Sequence, residues 1–183
     1  MDENEKLPAP SAVCRFEFTD EDLKEGYSYL RKPLTIFYSV ISAVSAVMLV
    51  IMLILNQVAL AIYLGVIIVV CVAMLVLFAP KRIKKQIEAF KEMNGNALNL
   101  DFYEDFLTAT NVRGFSRYEY SKFCKATELN FLWIIYLGDV KSPSAIMFIP
   151  KDGFSDANGY DFFMKRLIGQ IDPKYVKMLR KPQ

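Results

Sequence analysis

An uncharged stretch of 46 residues, from position 34 to position 79, restricts the possible folds of this chain more than any other sequence feature. The polar pair Asn56-Gln57 divides it. A single helix of this length would measure roughly 69 Å, whereas the hydrocarbon core of a bilayer is roughly 30 Å thick. Two helices at residues 34–55 and 58–79 would have 22 residues each, enough to cross that core. The sequence therefore predicts a two-span transmembrane hairpin within residues 33–80, with Asn56-Gln57 at its turn.

Two other kinds of segment also contain apolar stretches. A cleaved signal peptide has an apolar core of about 7–15 residues behind a basic start, whereas this stretch begins at position 34 behind an acidic arm. A buried hairpin in a soluble protein rarely has two adjacent uncharged runs of this length. A membrane hairpin is therefore the favoured interpretation.

Basic residues flank the stretch on both sides, and its central turn has none. They are Arg31, Lys32, Lys81, Arg82, Lys84 and Lys85. Because loops rich in lysine and arginine stay on the cytoplasmic side, we expect a multi-pass protein of the cell membrane with both termini in the cytoplasm. In that orientation the six side chains would contact membrane lipids at the surface.

The segment after the second span predicts a basic juxtamembrane helix at residues 81–96. Ile83, Ile87 and Phe90 lie on one stripe of this helix, with lysines around it. Two interpretations stay open. The helix could lie on anionic lipid headgroups, or it could pack its apolar stripe against a soluble domain.

Small residues within the two spans allow close helix packing. One patch is in the first span and the other in the second. They consist of Ser39, Ser42, Ala43 and Ala46, and of Ala61 and Gly65. Each patch could face larger side chains of the other span, or one could contact a second copy of the chain, so a homo-oligomer is possible.

The segments outside the hairpin differ in pattern. Residues 1–12 have little periodicity and predict a disordered N-terminus. Residues 13–32 predict a strand and then an amphipathic helix, because Cys14, Phe16 and Phe18 alternate with polar residues before the helical pattern begins. Arg31-Lys32-Pro33 would lead from this helix into the first span. Residues 173–183 form a basic tail.

Residues 97–172 predict a small cytoplasmic domain. Six short stretches with strand-like alternation are joined by short turns, which indicates an antiparallel meander. A helix beginning near Ser155 and ending at Pro173 has apolar side chains on one face and would cover the sheet. These are Tyr160, Phe163, Met164, Leu167, Ile168 and Ile171. The fold class predicted for the whole chain is an α+β membrane protein.

The composition argues against several kinds of chemistry. Histidine is absent, and Cys14, Cys71 and Cys124 have no paired spacing, so we expect no metal site, no cofactor and no catalytic residue. Asp101, Asp105 and Glu119 are single acids near predicted turns. The net charge of +2 and the absence of nucleic-acid-binding motifs predict no nucleic-acid partner.

Four motifs stand out in the second half of the chain. They are Tyr118-Glu119-Tyr120-Ser121-Lys122-Phe123, Thr127-Glu128, the apolar strand at residues 131–136, and Ile149-Pro150-Lys151-Asp152-Gly153-Phe154. Together they resemble the YcxB-like family of bacterial membrane proteins. Tyr120 stands where the family has tryptophan. The resemblance spans residues 13–170 and implies a domain similar to a pleckstrin-homology (PH) barrel in a bacterial plasma membrane.

The resemblance also implies that residues 13–19 form the first strand of this PH-like domain. The hairpin would then be inserted between that strand and the rest of the domain. Because the family has no established molecular function, the resemblance implies no catalytic or ligand-binding residue.

These observations predict a membrane-anchored, non-enzymatic module whose cytoplasmic domain binds a partner protein or anionic lipid headgroups. An immunity-type membrane protein that occupies a toxin is one alternative. A membrane-bound enzyme is the other, but the sequence has neither a nucleophile–base motif nor a glycine-rich phosphate loop.

Overall fold

The computed structural model describes residues 8–95 and 97–179. The chain divides into two compact units. One, which we call the split unit, comprises Met1–Gly26 together with Phe90–Gln183, and the other, the hairpin unit, comprises Tyr27–Ala89. Each is described by itself below.

The hairpin unit contains two long helices joined by a short turn. The first helix covers Asp20–Ile54, and the second is continuous over Val58–Asn94. In chain order the elements are α1 (Asp20–Ile54), α2 (Val58–Ala73), a π-helical turn (Met74–Phe78) and α3 (Ala79–Asn94). Asn56 has a φ of 57° in the connecting turn, a left-handed conformation that asparagine tolerates better than most residues.

Both helices are long and apolar enough to cross a membrane, judged by length and composition. Among the described residues, 23 exposed large apolar side chains lie between Leu34 and Phe78, and seven lie elsewhere. The apolar surface of this chain is therefore concentrated on the hairpin unit.

The predicted amphipathic helix and the first span form one helix, because α1 continues through Pro33. A proline inside a helix removes one backbone hydrogen bond and costs about 3 kcal/mol. The Thr35 hydroxyl donates to the nearby Arg31 carbonyl at 3.3 Å. The loss of one hydrogen bond does not end a helix of 35 residues.

The π-helical turn lies directly before Pro80. A proline ring clashes with the carbonyl four residues earlier in an α-helix, which here is that of Val76. In the wider turn, the Ala79 N–H donates instead to the Met74 carbonyl, five residues back. The turn therefore accommodates the ring without ending the helix.

The small-residue patches have different surroundings. A Cβ on Gly65 would lie 3.7 Å from Leu49 Cδ1, and Ala61 is buried, so the second patch faces larger side chains of α1. Ser39, Ala43 and Ala46 of the first patch are exposed. Contact of this first patch with another copy stays a prediction.

The split unit contains two four-stranded sheets. The first has the order β1-β2-β3-β4 and is antiparallel. Its strands are β1 (Ala12–Glu17), β2 (Ala97–Phe102), β3 (Phe106–Asn111) and β4 (Gly114–Glu119). The register of β1 on β2 runs from Ala12 opposite Phe102 to Glu17 opposite Ala97. The strand before the hairpin thus pairs with the first strand after it.

The second sheet has the order β7-β6-β5-β8. Its strands are β5 (Phe123–Glu128), β6 (Leu132–Gly138), β7 (Pro143–Pro150) and β8 (Val176–Lys177). All pairs are antiparallel except β5 with β8, which is parallel. The sequence did not predict β8, because two residues are too few for a periodic signal.

Helix α4 (Ala157–Arg166) follows β7 and is capped at its N-terminus by Asp156, whose carboxylate accepts a hydrogen bond from the Gly159 N–H at 2.6 Å. It ends before the predicted stop at Pro173. The chain continues in short 3-10 turns at Ile168–Gln170 and Pro173–Tyr175. These turns still place Leu167, Ile168 and Ile171 in the core, alongside Phe163 and Trp133.

The alternation predicted for the N-terminal strand is confirmed, since Cys14 and Phe18 are buried and Arg15 is exposed. Of the predicted disordered segment 1–12, positions 1–7 lie outside the described residues, Pro8 to Ser11 are in neither helix nor strand, and Ala12 begins β1. The end of the predicted basic tail, from position 180 onward, also lies outside the described residues.

Candidate functional site

The two groups of basic residues lie at the same end of the hairpin unit. Arg31 and Lys32 lie on α1, and the other four predicted surface residues, Lys81, Arg82, Lys84 and Lys85, lie on α3. The helices run antiparallel, and Arg31 Nε donates to Gln86 Oε1 at 3.1 Å, so the two groups are neighbours. The structure therefore gathers all six predicted residues at one end, whereas their contact with a membrane stays a prediction.

The bases of the hairpin unit have few acidic partners. Its sequence contains six basic residues and one acid, Glu88. Lys84 Nζ lies 4.0 Å from Glu88 Oε1, and both side chains are largely exposed. Within the described part of the chain, four of the basic side chains form no hydrogen bond or ion pair. They are those of Lys32, Lys81, Arg82 and Lys85.

In the split unit, five basic side chains form ion pairs with carboxylates of the same unit. These pairs are Arg15–Asp101, Lys91–Asp20, Lys151–Glu128, Arg166–Glu104 and Lys174–Asp172. By sequence the split unit has 16 basic and 19 acidic residues, so the excess of positive charge is concentrated on the hairpin unit.

A cleft of about 50 Å³ lies between the two helices of the hairpin unit, and we call it the interhelical cleft. Nine residues line it. They are Arg31, Leu34, Thr35, Tyr38, Met74, Leu75, Phe78, Ala79 and Arg82. Their order along the antiparallel helices places the two arginines at one end and Tyr38 with Met74 at the other, a length of about 10 Å at 1.5 Å per residue.

A larger groove of about 230 Å³ lies in the split unit, lined by inner-face residues of both sheets together with Phe18 and Phe90. We call it the inter-sheet groove. None of its lining residues is charged. At one side Asn111 Nδ2 donates to Asn94 Oδ1 at 3.2 Å, so its polar groups are amides and hydroxyls rather than ions.

The single acids named from the sequence do not converge on one centre. Asp101 pairs with Arg15 at 3.5 Å. Asp105 and Glu119 share a third, open cleft of about 310 Å³ with Arg117. The Arg117 guanidinium stacks 3.7 Å from the centre of the Phe106 ring.

The buried titratable side chains of the core are held neutral. Burial, and to a lesser degree the nearby Asp152, raises the pKa of the Cys14 thiol. Burial likewise raises the pKa of Tyr120, whose hydroxyl donates to the Tyr103 carbonyl at 2.7 Å. A neutral thiol is a poor nucleophile, so we assign packing roles to both residues. Among the described residues, no three His, Cys, Asp or Glu side chains cluster as a metal site would require.

The motif at residues 149–154 joins β7 to the rest of the split unit. Ile149 is fully buried, and Lys151 Nζ lies 2.8 Å from Glu128 Oε1. Phe154 forms an isolated bridge with Cys14 of β1. This motif therefore connects the second sheet to the first strand, which is a structural role.

No protein-family model, no curated protein and no solved structure matches this chain. The resemblance to the YcxB-like family accordingly stays a prediction.

The interhelical cleft and the inter-sheet groove were not predicted from the sequence. The only signal for the interhelical cleft was Pro80, which follows an apolar run and requires a local change of helix geometry. The inter-sheet groove had no sequence signal, because it depends on small side chains such as Ala109 and Ala145 meeting across two sheets.

Proposed function

We propose that this chain is a two-span protein of the bacterial plasma membrane with both termini in the cytoplasm. The split unit is its cytoplasmic part, a non-enzymatic docking module of the PH-like type found in the YcxB-like family. The six bases of the hairpin unit contact the anionic headgroups of the cytoplasmic leaflet.

One observation carries this proposal: the 23 exposed large apolar side chains between Leu34 and Phe78 are flanked, at one end of the hairpin unit, by six bases and a single acid, Glu88. Soluble proteins rarely expose contiguous apolar patches larger than a few hundred Å². Covering one large apolar side chain is worth about 1.5–3 kcal/mol, so a bilayer around the hairpin stabilises it greatly. Each base near an anionic surface adds about 1 kcal/mol.

The architecture of the split unit supports the PH-like assignment. Two four-stranded sheets and a C-terminal helix surround one core, and β1 precedes the hairpin in the sequence. This is the inventory that the YcxB-like resemblance implies, with β8 added.

A partner protein is the second candidate ligand of the split unit, and the inter-sheet groove favours it. The groove has aromatic and aliphatic walls, no charged residue and a pair of asparagines. Such a lining suits an uncharged, largely apolar segment of a partner and does not suit a phosphorylated headgroup.

Extraction from cell membranes tests the proposed location. The full chain should remain in the membrane pellet through high salt and alkaline carbonate, and detergent should release it. A variant with Val47→Lys and Val66→Lys is the matched comparison, since both valines are more than half exposed and neither substitution disturbs packing between the helices. Each lysine costs about 2.5–3.5 kcal/mol at a span centre, so this variant should leave the membrane fraction. Release of the parent chain by carbonate would contradict the proposal.

A further inference from the structure

Two arginines from different helices line the interhelical cleft, and no carboxylate accompanies them. Arg31 uses Nε for Gln86, which leaves its two terminal nitrogens for another acceptor. Arg82 has no partner within the described residues. The one acid of the hairpin unit, Glu88, lies beside Lys84 instead. Two guanidiniums at one cleft repel each other unless an anion lies between them.

The remainder of the interhelical cleft is mainly apolar, with Thr35 and Tyr38 as its two hydroxyl-bearing residues. Leu34 and Tyr38 extend it along α1, and Leu75 and Phe78 extend it along the facing helix. Three of the five π-helical residues contribute to this wall, so the wide turn before Pro80 helps to shape the recess. A free inorganic anion would contact only the arginine end, whereas an amphiphile would contact both parts.

The volume also restricts the ligand. About 50 Å³ accommodates a small group such as a phosphate, so any longer part of a ligand must lie along the open side of the cleft. Arginine binds phosphate through two parallel N–H donors, a geometry that lysine cannot reproduce. The recess therefore suits a phosphate whose attached chain lies along its open side.

We propose that the interhelical cleft binds one phospholipid of anionic headgroup, with its phosphate between Arg31 and Arg82 and an acyl chain along Leu34, Tyr38, Leu75 and Phe78. The inference rests on the proposed function, because this end of the hairpin must lie at headgroup level. It divides the six bases into two classes: Arg31 and Arg82 bind one lipid molecule, whereas Lys84 and Lys85 interact with the leaflet diffusely.

Native mass spectrometry of the detergent-purified full chain tests this inference. The probes are phosphatidylglycerol, phosphatidylcholine and glycerol 1-phosphate, each titrated separately. The variants are Arg31→Gln with Arg82→Gln, and Lys84→Gln with Lys85→Gln, which remove the same charge from neighbouring positions of one unit. We expect one tightly retained phosphatidylglycerol on the parent and on the lysine variant, and at least tenfold weaker binding to the arginine variant.

Equal losses in the two variants, or unchanged binding in the arginine variant, would overturn the assignment. Glycerol 1-phosphate binding as tightly as phosphatidylglycerol would show a site for free phosphates and overturn the lipid part. Phosphatidylcholine binding as tightly would show that the anionic headgroup plays no role. A further variant, Arg31→Lys with Arg82→Lys, keeps the charge and the fold but lacks the paired donors, so it should bind several-fold more weakly than the parent.

The carbonate extraction separates this inference from the proposed function. A chain that resists carbonate but shows no arginine-dependent lipid refutes only the lipid site. A chain that carbonate releases refutes the membrane location itself.

Discussion

Gly153 lies against β1 so closely that even a methyl group has no room. A Cβ at this position would be 2.6 Å from Phe16 Cδ1 and 2.8 Å from Cys14 Sγ. Gly153 belongs to the motif at residues 149–154 that carries the family resemblance. The glycine is therefore explained by packing and requires no ligand.

Replacing Gly153 with alanine should destabilise the split unit by about 1–3 kcal/mol, because β1 must shift to admit the methyl group. Denaturant titration of the full chain in detergent can follow this through the fluorescence of Trp133, the single tryptophan, which is fully buried. Gly169→Ala is the matched control, since its Cβ would meet only the Met164 carbonyl at 3.6 Å, an ordinary contact. Equal stability of the two variants would refute the packing explanation.

At the same scale, the positions of the six bases could be predicted from the sequence, because charge next to an apolar stretch is a local property. The convergence of Arg31 and Arg82 on one cleft could not be predicted in this way. It depends on how the two helices rotate against each other and on the π-helical turn before Pro80.

The strand β1 is the element that makes the split unit discontinuous. It pairs with β2 over six residues, and Cys14, near its middle, has no solvent exposure. A separate N-terminal segment would show neither property. Along the sequence, the hairpin is therefore inserted between two strands of one folded unit.

Replacing Cys14 with aspartate should destabilise the whole split unit by about 3 kcal/mol or more, because it places an unpaired charge in the core near Asp152. Arg15→Ala, one residue away on the exposed face, should cost about 1 kcal/mol, since the Arg15 side chain is 62% exposed and solvent screens its contact with Asp101. Limited proteolysis of residues 97–171 together with Trp133 fluorescence provides the measurement. Parent-like protease resistance in the aspartate variant would mean that β1 does not support this fold.

The sequence predicted element types well where a periodic pattern was long enough. The alternation around Cys14 and the apolar face of α4 are examples, and both are confirmed in the burial of their residues. The end of the C-terminal helix was predicted less well, since α4 ends at Arg166 rather than at Pro173. Strand β8 was not predicted, because it covers two residues and depends on a tertiary, parallel pairing with β5.

At the scale of the whole molecule, the sequence predicted the two long helices because hydropathy is summed along a continuous segment. The order of the strands within the two sheets could not be predicted from the sequence. Strands such as β1 and β2 are about 80 residues apart in the chain, and only the resemblance implied that they belong together. The inter-sheet groove follows from that order, which is why it also went unpredicted.

The orientation of the hairpin is the central claim, and cysteine accessibility tests it most directly. Single variants Gln57→Cys, in the turn, and Lys141→Cys, in the exposed loop before β7, would be treated with a membrane-impermeant maleimide in intact and in permeabilised cells. Both variants also carry Cys124→Ser, because Cys124 is partly exposed. The chain with that change alone provides the background, since Cys14 and Cys71 are buried. We predict that Gln57→Cys is labelled in intact cells and that Lys141→Cys is labelled only after permeabilisation. Protection of Gln57→Cys in intact cells, with labelling only after permeabilisation, would contradict the two-span orientation.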